Sequence, residues 1–247
     1  MPYLNAFFSV TIVSLVSFIG VLFLFLKDET LKKYIHSFIG LAIGALLGDA
    51  FIHLIPEAFE KITNQTIIGI LLISGILMFF ILERFMHWHH HGEDSGETEI
   101  HPVGKLILFT DGFHNLIDGI IIGVSFLIST PIGIATTIAV ILHEIPQEVG
   151  DFAVLIHSGF SKRKALYLNF ISALMAVVGL VIAFIFGSVA QTFTDWVVPI
   201  AAGGFIYIAM SDLIPELKES KKLRNIFSQI FSILLGIALM LALLLLE

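Results

Sequence analysis

Apolar runs of about 20 residues, the length that crosses a bilayer as a helix, recur eight times along the chain. They are Leu4–Leu26, Tyr34–Pro56, Thr66–Met86, Lys105–Ile128, Ile132–His157, Arg163–Val189, Trp196–Ile214 and Asn225–Leu246. The connections between them are short except for Met86 to Val103, so no room is left for a separate soluble domain. The pattern predicts an all-α integral membrane fold with eight transmembrane helices and one transporter-sized domain over 1–247, interrupted by a loop at 87–103.

Two polar stripes break that apolar pattern. Asp111-Gly-Phe-His114-Asn115-Leu-Ile-Asp118 places its polar groups at i, i+3, i+4 and i+7 of the fourth run. His143-Glu144-Ile-Pro146-Gln147-Glu148-Val-Gly-Asp151 fills one broad face of the fifth. An ionisable group at the centre of a membrane helix costs about 2.5 to 3.5 kcal/mol on insertion scales. Several together need a partner, and imidazole, carboxylate and amide oxygen are the donors that hold a zinc- or iron-type divalent cation.

Depth supports the same reading. At 1.5 Å per residue, His114 lies roughly 14 Å into its helix and His143 roughly 17 Å into the next, near the midplane of a hydrocarbon core about 30 Å thick. Ser129-Thr130-Pro131 joins the two helices, so they are antiparallel neighbours able to turn their stripes together. Two adjoining metal positions suggest themselves: His114, Asp118, His143 and Gln147 for one, and Asn115, Asp118, Glu144 and Glu148 for the other, with Asp118 able to bridge. Pro146 has no N–H, so the carbonyl of Leu142 is released from its helical bond.

Asp111 and Asp151 lie one to two turns from the centre, as pathway groups or as helix-end acids. His53, with Asp49, could line a path from the second helix, while His157 is expected at the interface. A lone membrane histidine is ordinarily a packing group, and it is the pairing with Asp118 and Glu144 at matched depth that points to ligands.

Composition agrees with the pattern. With 57% hydrophobic and 13% charged residues the chain lacks the polar surface a soluble globule needs. There is no cysteine, hence no disulfide framework and no thiolate site. The net charge of −7 sits in loops and in the stripes and indicates no nucleic-acid partner. Twelve of the thirteen basic residues fall at the odd-to-even connections, with Lys61 the exception. That asymmetry puts those connections in the cytoplasm and both termini outside it.

The first run lacks a basic n-region and a cleavage site and is read as a retained span. The expected location is the plasma or inner membrane of a cell, or an organelle membrane if the source is eukaryotic. The cytoplasmic loop carries His87, His89, His90, His91 and His101 among acids, a composition suited to weak, exchangeable metal binding or to plain solvation.

The second run ends Asp49-Ala-Phe-Ile-His53-Leu-Ile-Pro56-Glu57 and the seventh ends Ser211-Asp212-Leu-Ile-Pro215-Glu216. By this topology the two endings lie on opposite sides, as an inverted-topology repeat would place them. Pro-Glu is also simply a frequent way to finish a helix.

At His114-Asn-Leu-Ile-Asp118-Gly and His143-Glu-Ile-Pro-Gln-Glu-Val-Gly-Asp151 the chain resembles the ZIP (Zrt/Irt-like) family of divalent-metal transporters. It is most similar to the branch whose fifth helix reads HExPHExGD. The resemblance covers essentially the whole chain. It implies eight spans in a 3+2+3 inverted repeat, a binuclear site between helices 4 and 5, uptake of zinc toward the cytoplasm, and a homodimer. It also implies motion of the metal-carrying helices against a scaffold of helices 2, 3, 7 and 8.

Two departures qualify the match. Gln147 replaces the second histidine of the motif, which leaves iron, manganese and cadmium open as substrates. Helix 6 has no acid to complete a second site, only Asn169 and Ser172.

Other classes fit less well. His143-Glu144 opens like the HExxH of an intramembrane metalloprotease, but position 147 is Gln and Pro146 spoils the one-turn spacing, so no enzyme is expected. A proton- or sodium-coupled carrier of an organic solute would need the acids but not the histidines. The expected mechanism takes hydrated metal from outside onto His114, Asp118 and His143 and releases it inward toward the His-rich loop.

Overall fold

The computed structural model describes residues 2–25, 27–90, 101–217 and 223–243. Among these residues the chain makes eight long helical segments, here numbered in order. They are α1 (Pro2–Leu24), α2 (28–61), α3 (Gln65–His90), α4 (Pro102–Ile128), α5 (Thr130–His157), α6 (Lys162–Phe186), α7 (188–217) and α8 (Leu223–Leu243). Seven of them are long and apolar enough to cross a membrane. The remaining one, α5, has ample length at 28 residues, but its polar stripe lowers its hydropathy. The protein is an all-α integral membrane protein.

Local sequence sets most of the ends. Ser129 and Ser161 cap α5 and α6 through their hydroxyls, and Pro follows the cap of α4 and of α5. Two expected boundaries move. The α6–α7 turn lies at Gly187, with φ of +52°, rather than at the polar stretch 190–195, which continues the helix because it holds no Gly or Pro. Likewise α3 runs on past Met86 through His87 to His90, with no breaker before Gly92.

α2 and α7 share a further feature. Each contains a π-helical turn, Asp49–Leu54 and Ile208–Leu213, directly before Ile-Pro-Glu. The N–H of Ile55 bonds the carbonyl of Ala50, and that of Ile214 the carbonyl of Ala209. The wide turn absorbs the missing proline donor without ending the helix. The two Leu-Ile-Pro-Glu stretches are therefore one structural element used twice.

Glycine contacts fix which helices touch and in which direction. A β-carbon on Gly44 would overlap the backbone of Ile233, and one on Gly236 the backbone of Leu41, so α2 and α8 press together. Gly75 meets Ile200 and Gly203 meets Leu72 between α3 and α7, while Gly119 meets Ala176 and Gly179 meets Leu116 between α4 and α6. Small residues let membrane helices approach at backbone distance.

Along the full crossings Gly40, Gly44 and Gly48 meet Gln229, Ile233 and Met240 in turn, Gly75 meets Ile200 as Phe79 meets Gly204, and Gly112, Gly119 and Gly123 meet Ser172, Ala176 and Ala183, so the partners in all three pairs run parallel. By contrast α4 and α5 are antiparallel, since Gly104 meets Ser158 near one end and Gly133 meets Phe126 near the other. The set α2–α8, α3–α7 and α4–α6 with a central α4–α5 pair agrees with a 3+2+3 arrangement in which α2 and α7 are equivalent. The main apolar core lies among α2, α4, α5 and α7, around Ile39, Ile43, Phe152 and Phe205.

Candidate metal centre

The antiparallel α4 and α5 bring both stripes face to face. His143 Nε2 lies 3.2 Å from Asp118 Oδ2 and 3.9 Å from Glu144 Oε1. His114 Nε2 lies 3.5 Å from Asp118 Oδ2 and 3.6 Å from Glu144 Oε1. In a tetrahedral zinc site with bonds of about 2.0 to 2.1 Å, neighbouring ligand atoms are ~3.3 Å apart. The four separations bracket that edge, so two nitrogens and two oxygens can close on one ion with only small adjustments.

Burial and missing partners sharpen the picture. Only His143, at 14% side-chain exposure, is reached by solvent; the other three are 4% or less. Both nitrogens of His114 and both oxygens of Glu144 lack hydrogen-bond partners. Leaving such groups buried and unpaired costs about 1 to 3 kcal/mol each, more when charged, so a folded chain keeps them for a ligand. The His114 ring is held by packing, with centroids 5.0 Å from Phe205 of α7 and 5.4 Å from His143.

A second cluster adjoins the first. Asp111, Glu144 and Glu148 offer ligand oxygens within 4.8 Å of one another, and Glu144 belongs to both groups. α6 braces this cluster through its two polar residues. Asn169 Nδ2 donates to Glu148, and the Ser172 hydroxyl donates to Asp111. Asn115 Nδ2 also donates to Asp111 Oδ1, at 2.8 Å.

A family model described as ZIP Zinc transporter matches residues 2–105 and 92–244. The chain belongs to the ZIP family.

Zinc transporter zipt-7.2 of Caenorhabditis elegans is 34% identical, the match covering 80% of this chain and 55% of that protein. Zinc transporter ZIP13 of Pongo abelii is 33% identical over 87% of this chain and 68% of its own length. Zinc transporter YKE4 of Saccharomyces cerevisiae is 30% identical over 89% and 72%. The ZIP chain thus spans little more than half of the first of these relatives.

Within this ZIP chain the carboxylate shared by the two clusters is Glu144, where sequence spacing alone suggested Asp118 as the bridge. Asp111, read from sequence as a pathway group, stands inside the second cluster, and Asn115 donates to it through Nδ2 while its own Oδ1 is buried without a hydrogen bond. Gln147 is buried on the same face of α5. Asp151 is buried with one unpartnered oxygen a turn beyond Glu148.

His53 and Asp49 lie apart, paired to each other on the π-helical turn at 3.2 Å. Asp49 Oδ2 and His53 Nε2 remain without hydrogen bonds, as two further donors along α2. His89 and His90 end α3, and His91 lies outside the described residues.

The bonds from α6 account for the lack of an acid there. Asn169 and Ser172 do not add charge to the second cluster; they orient charge already supplied by α4 and α5. Asn169→Ala should weaken zinc binding by about 10- to 100-fold, the usual loss for an outer-shell partner, while leaving the fold intact. Equilibrium dialysis with zinc on purified protein checks this; unchanged affinity would mean that the bracing is structural only.

Proposed function

We propose that this chain carries divalent transition-metal ions, zinc first, across a membrane toward the cytoplasm through the paired clusters between α4 and α5. The observation behind this is the set of four ligand atoms, three buried and that of His143 partly so, on two antiparallel helices at tetrahedron-edge spacing, with His114 and Glu144 making no hydrogen bonds. The names of the relatives supply zinc. In this reading α5 is the eighth crossing, both termini lie outside the cytoplasm, and the chain works as a homodimer in a plasma, inner or organelle membrane.

A hydrated ion reaches the more exposed His143 first, then loses water to His114, Asp118 and Glu144. Ligands must be free of protons to bind, so loading releases protons from the site. Glu144 then hands the ion to Asp111 and Glu148, and Asp151 continues the acidic line along α5. The segment holding His89, His90 and His91 receives it. A transporter rather than an enzyme fits this site, since every donor serves coordination.

Gln147 favours a broader variant of the same reading, with iron or manganese as additional substrates because an amide oxygen is a harder donor than imidazole, and with cadmium because a weaker donor set discriminates less. Radioactive zinc uptake into proteoliposomes tests both points. Uptake is expected to be lost in His114→Ala and in Asp118→Ala, and competition by iron, manganese and cadmium ranks selectivity. Wild-type protein that moves no metal, or variants that move it as well as wild type, would overturn the proposal.

A further inference from the structure

The parallel helices α2 and α8 begin at the same end of the bundle, and neither supplies a ligand atom to the central clusters. Between their first turns lies a polar cavity of about 300 Å³. α2 contributes Lys33, His36 and Ser37 to its wall, and α8 contributes Asn225, Ser228 and Gln229. The two walls are tied together. A β-carbon on Gly40 would come 3.0 Å from the carbonyl oxygen of Gln229, and the hydroxyls of Ser37 and Ser228 share a hydrogen bond of 2.8 Å across the pair.

The lining is rich in donors. Among the described residues no carboxylate pairs with Lys33, whose ammonium stands 5.0 Å from the centroid of the Tyr34 ring. The two serine hydroxyls use one hydrogen between them, which leaves the other to be given. Asn225 adds an exposed amide. Gln229 is only 6% exposed, and its buried Nε2 has no hydrogen-bond partner. A buried amide left unpaired is costly, and the broad terminal torsion of glutamine lets Nε2 swing toward a bound acceptor. With no carboxylate and a single imidazole in the lining, a cation is poorly served; an anion with several acceptor oxygens is well served.

The surface of α8 indicates what carries the anion. Phe231 and Leu235 follow Ser228 by three and seven residues, so they continue its face of the helix. Both are exposed, at 66% and 42%. Leu235 lies about 10 Å further along the axis than Ser228. A polar cavity at the helix ends that runs on into an exposed apolar track has the shape of an amphiphile. Tyr34 is exposed beside it, an aromatic ring of the kind that sits at headgroup level.

We propose that this cavity binds the phosphate headgroup of an anionic phospholipid, whose acyl chains lie along Phe231 and Leu235, and that the bound lipid ties α2 to α8. Its assignment to the cytoplasmic leaflet rests on the orientation proposed above; the binding chemistry does not.

Full-length protein purified in an uncharged detergent is titrated with dioleoyl phosphatidylglycerol, dioleoyl phosphatidylcholine or glycerol phosphate, and bound molecules are counted by native mass spectrometry. One phosphatidylglycerol is expected to bind more tightly than any phosphatidylcholine. Lys33→Gln should weaken it about fivefold, the effect of one lysine beside anionic lipid. Gln229→Leu changes no charge and should weaken it as well, by at least about threefold, through loss of one hydrogen bond. That variant decides the matter, because attraction spread over the basic end of the bundle would not register it.

Replacing an unpaired buried amide by an apolar group of similar size is close to neutral for folding, and Ser228→Ala gives a second reading of the same site. Lys61→Gln, at the opposite end of α2, should leave binding unchanged. Undiminished binding in both Gln229→Leu and Ser228→Ala, an equal loss in Lys61→Gln, or equal affinity for phosphatidylcholine would overturn the proposal. Displacement of the lipid by an equal concentration of glycerol phosphate would assign the cavity to a soluble phosphate compound and overturn it too. Binding is read at equilibrium with the central clusters intact, so failed transport and a failed lipid site give different results.

Discussion

Glu144→Gln is expected to abolish zinc uptake into proteoliposomes and, in the metal-free protein, to raise the melting temperature. Among the described residues Glu144 is the carboxylate common to both clusters, so the proposed hand-off would need its charge at each step. Losing a direct ligand costs at least the 10- to 100-fold that an outer-shell loss costs, and in the proposed path both positions would lose one. Stability moves the other way. Glu144 is buried among Asp111, Asp118 and Glu148 with both oxygens unpaired. A neutral amide of the same shape removes like-charge repulsion and the burden of an uncompensated buried charge.

Zinc at a hundred times its Kd stabilises a single-site protein by about 2.7 kcal/mol, and that increment should vanish in the variant. Thermal melts with and without zinc, run beside the uptake assay, check both halves. Wild-type uptake in Glu144→Gln, or an undiminished zinc increment, would remove Glu144 from the metal path.

Gly119→Val should eliminate transport without touching a single ligand. A β-carbon there overlaps the backbone of Ala176, and backbone cannot yield as a side-chain end can. Across the same crossing Gly179 meets Leu116, so α4 and α6 cannot slide to relieve it. Overpacking costs about 1 to 3 kcal/mol, and separation of the helices withdraws Asn169 and Ser172 from Glu148 and Asp111. Gly112→Ala is the contrast. Its β-carbon would sit 3.5 Å from Met175 and 3.6 Å from Ser172, ordinary contact, and uptake should persist. Equal effects of the two substitutions on melting temperature and uptake would refute this account of the α4–α6 contact.

The chain's class and the region of its site follow from local pattern. Apolar runs of bilayer length, the two helical-period stripes and the His-Asn-x-x-Asp and His-Glu motifs are all short-range features, written in neighbouring residues. Antiparallel α4 and α5 followed from a three-residue connection. The α6–α7 boundary was misread although a breaker stood there: Gly187 ends α6, while the polar stretch 190–195 suggested the loop. The repeat was visible as two Leu-Ile-Pro-Glu endings, but the π-helical turns that make them equivalent are a backbone response to proline in a packed helix.

What only the tertiary structure decided is the grouping of the candidate ligand atoms. Spacing along one helix says which groups share a face; it does not say which atom of the facing helix arrives beside which. That register put Glu144 between the clusters, moved Asp111 into the second, and turned Asn169 and Ser172 onto acids 21 and 61 residues away. The sequence determines what each helix carries, because helical periodicity is local; the close glycine contacts between helices determine what the carried groups meet.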